Sequence, residues 1–136
     1  MPGSKPADSE FQYALLRVVP RIERGEQINA GVVLFCRPRR FLAARVGLDA
    51  DRLAALAPGL GAADVQAHLD AAVRIAAGDP AGGPIAAFEQ SQRFHWLVAP
   101  SSTVLQASAV HTGLSDDPQA TLDALFAELV EPVPAS

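Results

Sequence analysis

The stretch AGVVLFCRPRRFLAARV, residues 30–46, decides the fold of this chain because it has the pattern of a β-hairpin. Its first part, residues 30–36, is an unbroken apolar run that is too short for a typical helix. That run therefore predicts a strand that is covered on both faces. The sequence RPRR at residues 37–40 predicts a solvated turn, and residues 41–46 return as the second strand of the hairpin.

The elements that flank this hairpin are predicted to be one more strand and two helices. Residues 11–19 are rich in aromatic and branched side chains and predict a strand. Asp49 is expected to cap a short helix that ends at Pro58. Apolar residues then recur every three or four positions and predict a second helix over 61–77. The Pro- and Gly-rich residues 79–84 predict a loop after it.

The C-terminal part of the chain predicts a second hairpin and a last helix. Residues 92–99 and 103–111 read as two strands joined by a short polar turn. Asp117 is predicted to cap the last helix, with Pro118 at its first position. The apolar stripe of this helix, which we expect to pack on the sheet, consists of Leu122, Leu125, Phe126, Leu129 and Val130.

Length and composition indicate one globular domain. The chain has 136 residues, of which 49% are hydrophobic and 19% are charged, and this excludes a disordered protein. We expect a single α+β domain over residues 11–131, with a mostly antiparallel sheet of about five strands and helices packed against it. Residues 1–10 and 132–136 are expected to be flexible tails. Residues 1–10 lack the apolar stretch of a secretory signal, and no apolar run reaches the length of a membrane span. We therefore expect a cytoplasmic protein.

Charge is unevenly distributed along the chain. Between Arg17 and Arg45 there are seven arginines and two acids, whereas five acids and no basic residue follow His111. The two regions could neutralise each other across the fold, or the first could be a basic patch for an anionic partner. Nucleic-acid binding is not expected, because the formal net charge is −4 and the arginines of the 20–29 loop and of the 37–40 turn are predicted to lie apart.

Polar side chains interrupt the predicted second hairpin, and such local conflicts often mark a functional site. Together with two residues near the first strands, they form the set of candidate ligand-binding residues. In an enzyme acting on an anion, Arg17 and Arg93 would bind the anion, and His95 or His111 would do acid–base work. The alternative is that this hairpin simply has a wet face. The candidates are Arg17, Asn29, Arg93, His95, Ser102, Thr103, Gln106, His111 and Thr112.

Other chemistry is not indicated by the sequence. His95 and His111 are too few ligands for a zinc site, so we expect neither a metal nor another cofactor. Cys36 is the only cysteine, which excludes an internal disulfide, and it is predicted to be a buried structural residue. His68 is predicted to be an exposed residue of the 61–77 helix. No complete catalytic motif is present.

Three stretches of the chain resemble a known bacterial family, the domain-of-unknown-function family 3037. They are YALLRVVPRIERGEQINAGVVLFCRPRRFLAARV (13–46), RFHWLVAPSSTVLQASAVHTGL (93–114) and DDPQATLDALFAELV (116–130), in this order. The family has no established activity. The resemblance implies that members are encoded beside a kinase-like protein similar to the HipA toxin kinases, and hence an accessory role.

These observations favour a non-enzymatic accessory module that binds a protein partner, with a HipA-like kinase as the partner that the resemblance implies. The alternative is a small enzyme or binder that acts on a phosphorylated or nucleotide-like ligand through the Arg and His residues of 93–112. The alternative requires those side chains to converge on one pocket, and it fails if the two histidines point to opposite sides of the sheet.

Overall fold

The predicted hairpin at residues 30–46 lies in the sheet that organises the whole domain. The computed structural model describes residues 8–100 and 104–132, which form an α+β domain with five strands. The strands are β1 (Ser9–Val18), β2 (Ile28–Cys36), β3 (Phe41–Val46), β4 (Leu105–Ala107) and β5 (His111–Ser115). All strand pairs are antiparallel, in the order β3-β2-β1-β4, and β5 also pairs with β1.

Four helices cover the sheet, and three of them begin or end as the sequence predicts. They are α1 (Ala50–Leu56), α2 (Ala62–Ala77), α3 (Gln90–Val98) and α4 (Pro118–Leu129). The Asp49 carboxylate accepts a hydrogen bond from the Arg52 N–H at the start of α1. Asp117 does the same for Ala120 at the start of α4, and Gly78 ends α2 with a φ of 73°. A positive φ is the conformation that glycine adopts without steric cost.

The sheet is covered on both faces, as the apolar run in β2 predicts. Val33 and Phe35 pack under α1, α2 and α3, whereas Val32 and Leu34 pack under α4. We call the face of the sheet under α1, α2 and α3 the three-helix face, and the face under α4 the α4 face. All of these side chains are buried, because adjacent residues of a strand point to opposite faces and each face has its own helices.

The last helix packs as expected from its apolar stripe. Leu122 and Phe126 are buried on the α4 face, and Leu129 packs beside them. Arg45 of β3 binds Asp123 of α4 at 3.0 Å, and its guanidinium lies 4.5 Å from the centre of the Phe126 ring. Arg45 also lies 4.0 Å from Glu131. The basic segment and the acidic C-terminal part of the chain therefore meet at this arginine.

Residues 92–99 form most of helix α3, and the prediction of a strand there is wrong. Glu89 and Gln92 make a reciprocal capping box at the start of this helix. Phe94 is 1% exposed whereas Trp96 is 53% exposed, although the two would share a face in a strand. Phe94, Leu97 and Val98 all pack on the three-helix face, and their spacing of three and four residues is helical.

The predicted strand at 103–111 is divided into two short strands along β1. Leu16 lies opposite Ala107 and Tyr13 lies opposite His111, so the segment between β4 and β5 has one residue more than β1. Ser108 occupies this bulge. Its N–H donates to the Leu15 carbonyl, and its hydroxyl accepts from the Leu15 N–H, both at 2.8 Å. The predicted second hairpin therefore does not exist, and its two halves lie in different elements.

No helix within residues 8–100 and 104–132 has the length and apolar character needed to cross a membrane. Strand β1 begins at Ser9, so the sheet starts two residues before the domain start expected at residue 11. Residues 1–7 and 133–136, which make up most of the expected tails, lie outside the described residues.

Candidate functional site

Arg93 is a buried residue that closes the end of a helix. It is 9% exposed, and its Nη1 donates to the carbonyls of Ile75 at 3.0 Å and Ala76 at 2.9 Å. Its Nε donates to the Phe88 carbonyl at 2.9 Å. The cation thus satisfies carbonyls at the C-terminus of α2, where the helix dipole favours positive charge. Arg93 therefore has a structural role, and its Nε and Nη1 donors are not free to bind an anion.

The two candidate histidines lie on opposite sides of the sheet. His95 is an exposed residue of α3, which covers the three-helix face. His111 is directly opposite Tyr13, and their ring centres are 5.2 Å apart. Because Tyr13 packs on the α4 face, His111 lies on that face too. The single acid–base surface predicted for 93–112 is therefore not formed by the described candidates.

Three other candidates meet in one row across the sheet. Gln106, Arg17 and Asn29 are successive cross-strand partners on β4, β1 and β2. Arg17 Nε donates to Asn29 Oδ1 at 3.3 Å, and Asn29 Nδ2 donates to the Leu129 carbonyl at 3.1 Å. Arg17 and Asn29 therefore lie on the α4 face, and Asn29 ties the end of α4 to the sheet.

The remaining candidates do not join this row. Thr112 is exposed and lies opposite Gln12, which is one position away from the Tyr13 pair and hence on the other face. Ser102 and Thr103 lie outside the described residues. The seven described candidates thus do not converge on one site.

Cys36 is fully buried, and its thiol donates to the Glu10 carbonyl at 3.6 Å. This placement agrees with the predicted structural role. Among the described residues, no group of three or more His, Cys, Asp or Glu side chains is arranged to hold a metal ion.

An apolar concavity lies on the three-helix face, between α2, α3 and β4. We call it the α2–α3 cleft. It has a volume of about 410 Å³, within the range of ordinary ligand sites. Trp96 and His68 lie on its border, and Gln106 is the described candidate residue that touches it. Its apolar lining includes Leu16, Ala72, Ile75, Leu97, Leu105 and Ala107.

Trp96 and His68 give the cleft its character. Trp96 is the only tryptophan, and half of its surface is exposed. His68 is exposed, as predicted, and its Nδ1–H donates to the Asp64 carbonyl at 2.8 Å. In the neutral ring this bond leaves Nε2 as a hydrogen-bond acceptor. The cleft therefore offers an aromatic surface, an apolar floor and one acceptor.

Trp96 is not among the candidate residues, because residues 92–99 are predicted to form a strand. The helical spacing of Phe94, Leu97 and Val98 is the signal that places Trp96 on the exposed side of a helix. A half-exposed tryptophan that borders an apolar concavity is a candidate for a binding surface, since its ring is large and mostly apolar and tryptophan is enriched at interfaces.

A second concavity, of about 550 Å³, lies between residues 20–26 and 56–60 at the far end of the sheet. Arg24 on its border forms an ion pair with Glu26. The hydrogen bond to Glu26 and the charge of that carboxylate raise the pKa of Arg24 above its usual value. The lining of this groove includes the charged residues Arg21, Arg24 and Glu26, whereas the lining of the α2–α3 cleft is mostly apolar, so the α2–α3 cleft is the better candidate for an apolar side chain.

Comparison with known proteins places the chain in a family. No curated protein and no solved structure matches the chain. One family model, described as "Protein of unknown function (DUF3037)", matches residues 13–130, which run from within β1 to just past the end of α4. The chain therefore belongs to the DUF3037 family of proteins of unknown function.

Proposed function

We propose that this chain is a non-enzymatic accessory module that binds a partner protein through the α2–α3 cleft. The observation that carries the proposal is the half-exposed Trp96 beside an apolar cavity. Tryptophan is among the residues that contribute most to protein–protein binding when it becomes fully buried at an interface. The proposal includes a HipA-like kinase as the partner, which the family resemblance implies.

Two further observations support a binding role over catalysis. Arg93 donates hydrogen bonds to three backbone carbonyls of the same domain, so these donors are not available to a substrate. His95 and His111 lie on opposite sides of the sheet and cannot act on one substrate together. An enzyme needs its acid, base and binding groups within hydrogen-bond reach of one substrate.

The cleft suits an apolar side chain from a partner. Its floor is formed by aliphatic residues, among them Leu16, Ile75 and Leu105. An inserted side chain would be covered by Trp96 on one side, and both surfaces would then lose contact with water. Burial of a large apolar side chain contributes about 2 kcal/mol, or roughly thirtyfold in affinity.

Affinity capture from a lysate of the native host, followed by mass spectrometry, tests this proposal. The baits are the wild-type chain, Trp96→Ala and the control Leu114→Ala. Leu114 is a suitable control because it is 68% exposed and lies on β5, outside the cleft. We expect wild type and Leu114→Ala to enrich the same protein, a HipA-like kinase, and Trp96→Ala to lose at least four-fifths of it, or about 1 kcal/mol.

Equal capture by all three baits would show that the cleft is not the binding surface. Capture of no protein by any bait, together with turnover of a phosphorylated substrate by the purified chain, would show that the chain is an enzyme instead.

A further inference from the structure

The turn between β2 and β3 carries the densest cluster of positive charge in the described part of the chain. Arg37, Arg39 and Arg40 occupy four consecutive positions with Pro38. We call these residues the arginine tip. Arg37 and Arg40 are exposed, and neither forms an ion pair with a carboxylate of the described residues. Arg24 and Arg45, by contrast, are both paired with acids.

The arginine tip is held in place at the backbone of Arg40 and at the side chains of Arg39 and Arg37. The Arg40 carbonyl accepts a hydrogen bond from Gln90 Nε2 at 2.8 Å, and Gln90 is the first residue of α3. Arg39 Nε donates to the Ser9 hydroxyl at 3.0 Å. The Arg37 guanidinium lies 5.3 Å from the centre of the Phe35 ring. Cationic groups held in this way lose less conformational entropy when they bind an anion.

From this geometry we infer that the arginine tip binds an acidic segment of a partner protein. Guanidinium groups present forked donors that match carboxylates, so a short run of Asp and Glu is complementary to them. The inference rests on the proposed function, because it supplies the chemistry of the partner that the α2–α3 cleft would bind. Helix α3 connects the two surfaces, since Gln90 and Trp96 are separated by only about 9 Å along the helix axis.

Charge elsewhere in the molecule favours an acidic peptide over a nucleic acid. The other basic cluster, Arg21 and Arg24, lies beyond the opposite end of β2, about 27 Å away along the strand. Asp116 and Asp117 follow β5, whose last residue Ser115 pairs with Ser9 beside Arg39. These acids would repel a long polyanion that continued past the tip. A short acidic segment need not extend past the tip and so avoids these acids.

Fluorescence anisotropy with a labelled peptide of eight glutamates tests the inference on the purified chain. The test variant is Arg37→Gln plus Arg40→Asn, since Asn tolerates the left-handed backbone that Arg40 adopts with a φ of 50°. The control is Arg52→Gln plus Arg74→Gln, which removes two exposed arginines without an ion pair and causes the same change of charge.

At low salt we expect the wild type and the control to bind the peptide, and the tip variant to bind it about five- to tenfold more weakly. Equal weakening in both double variants would show that only net charge matters, and no binding to wild type would also overturn the inference. Tighter binding of single-stranded RNA or duplex DNA of equal charge would assign the tip to nucleic acid. These titrations involve neither a Trp96 variant nor a lysate. If they give a negative result, the capture experiment still tests the proposed function independently.

Discussion

Arg93 shows how one residue can have the chemistry of a binding site and a purely structural role. Its guanidinium reaches carbonyls of Ile75, Ala76 and Phe88, which belong to the end of α2 and to the loop before α3. Gly78 is required at the same place, because a Cβ there would lie 2.9 Å from Arg93 Nη1. The end of α2, Gly78 and Arg93 therefore form one packed unit that joins two helices.

Replacing this arginine should destabilise the domain strongly. We expect Arg93→Met, which keeps most of the aliphatic volume, to lower the free energy of unfolding by about 3 kcal/mol, because it removes three hydrogen bonds from a charged donor to backbone carbonyls. The exposed Arg74→Met on the same region of α2 is the control and should change stability by less than about 0.5 kcal/mol. Urea unfolding measures both. Equal stability of the two variants would show that the carbonyls find other donors.

At the scale of the element, helix α3 explains both the wrong strand prediction and the missed tryptophan. Residues 93–96 alternate polar and aromatic side chains, which is typical of a strand, yet Glu89 and Gln92 cap a helix just before them. Phe94 packs against Phe35 with ring centres 5.3 Å apart, and Trp96 turns outward. Local alternation over a few residues cannot decide between the two periods, because tertiary packing selects one of them.

The helical assignment predicts very different effects at these two aromatic positions. We expect Phe94→Ala to cost about 3–4 kcal/mol, since it leaves a cavity in the buried core of the three-helix face. Trp96→Ala should cost less than about 1 kcal/mol, because half of that ring is already in water. Thermal or urea unfolding distinguishes them. Similar large losses in both variants would mean that the two rings share a buried face.

The sequence predicted the first three strands and the last helix well because their signals are strong and local. The apolar run of β2, the RPRR turn and the Asp117–Pro118 cap each specify one structure. The row of Gln106, Arg17 and Asn29 could not be predicted in this way. Leu16 pairs with Gly31 and Arg17 pairs with Asn29, so Ala30 is an extra residue that turns Asn29 toward α4. Such a bulge depends on the register of the whole sheet.

For the whole molecule, the central feature is one sheet with two separate apolar layers. Strand β2 supplies side chains to both layers. If the helices of one layer detached, the β2 side chains on that face would be exposed to water. The two layers should therefore unfold together, as expected for a small domain with a shared sheet.

Leu122→Ala tests this coupling, because Leu122 is buried on the α4 face whereas Trp96 lies on the opposite face. We expect a loss of about 3 kcal/mol in unfolding free energy. Circular dichroism and Trp96 fluorescence should report the same midpoint in urea. A fluorescence midpoint that stays at the wild-type value while the circular dichroism midpoint falls would show that the two faces unfold independently.

Isothermal calorimetry measures whether the α2–α3 cleft binds a partner protein, as we propose for this member of the DUF3037 family. The protein recovered by affinity capture is purified and titrated into wild type, Trp96→Ala and Leu114→Ala. We expect Trp96→Ala to weaken binding at least fivefold, or about 1 kcal/mol, while Leu114→Ala binds as the wild type does. Wild-type affinity in the Trp96→Ala variant would show that the cleft is not the binding surface.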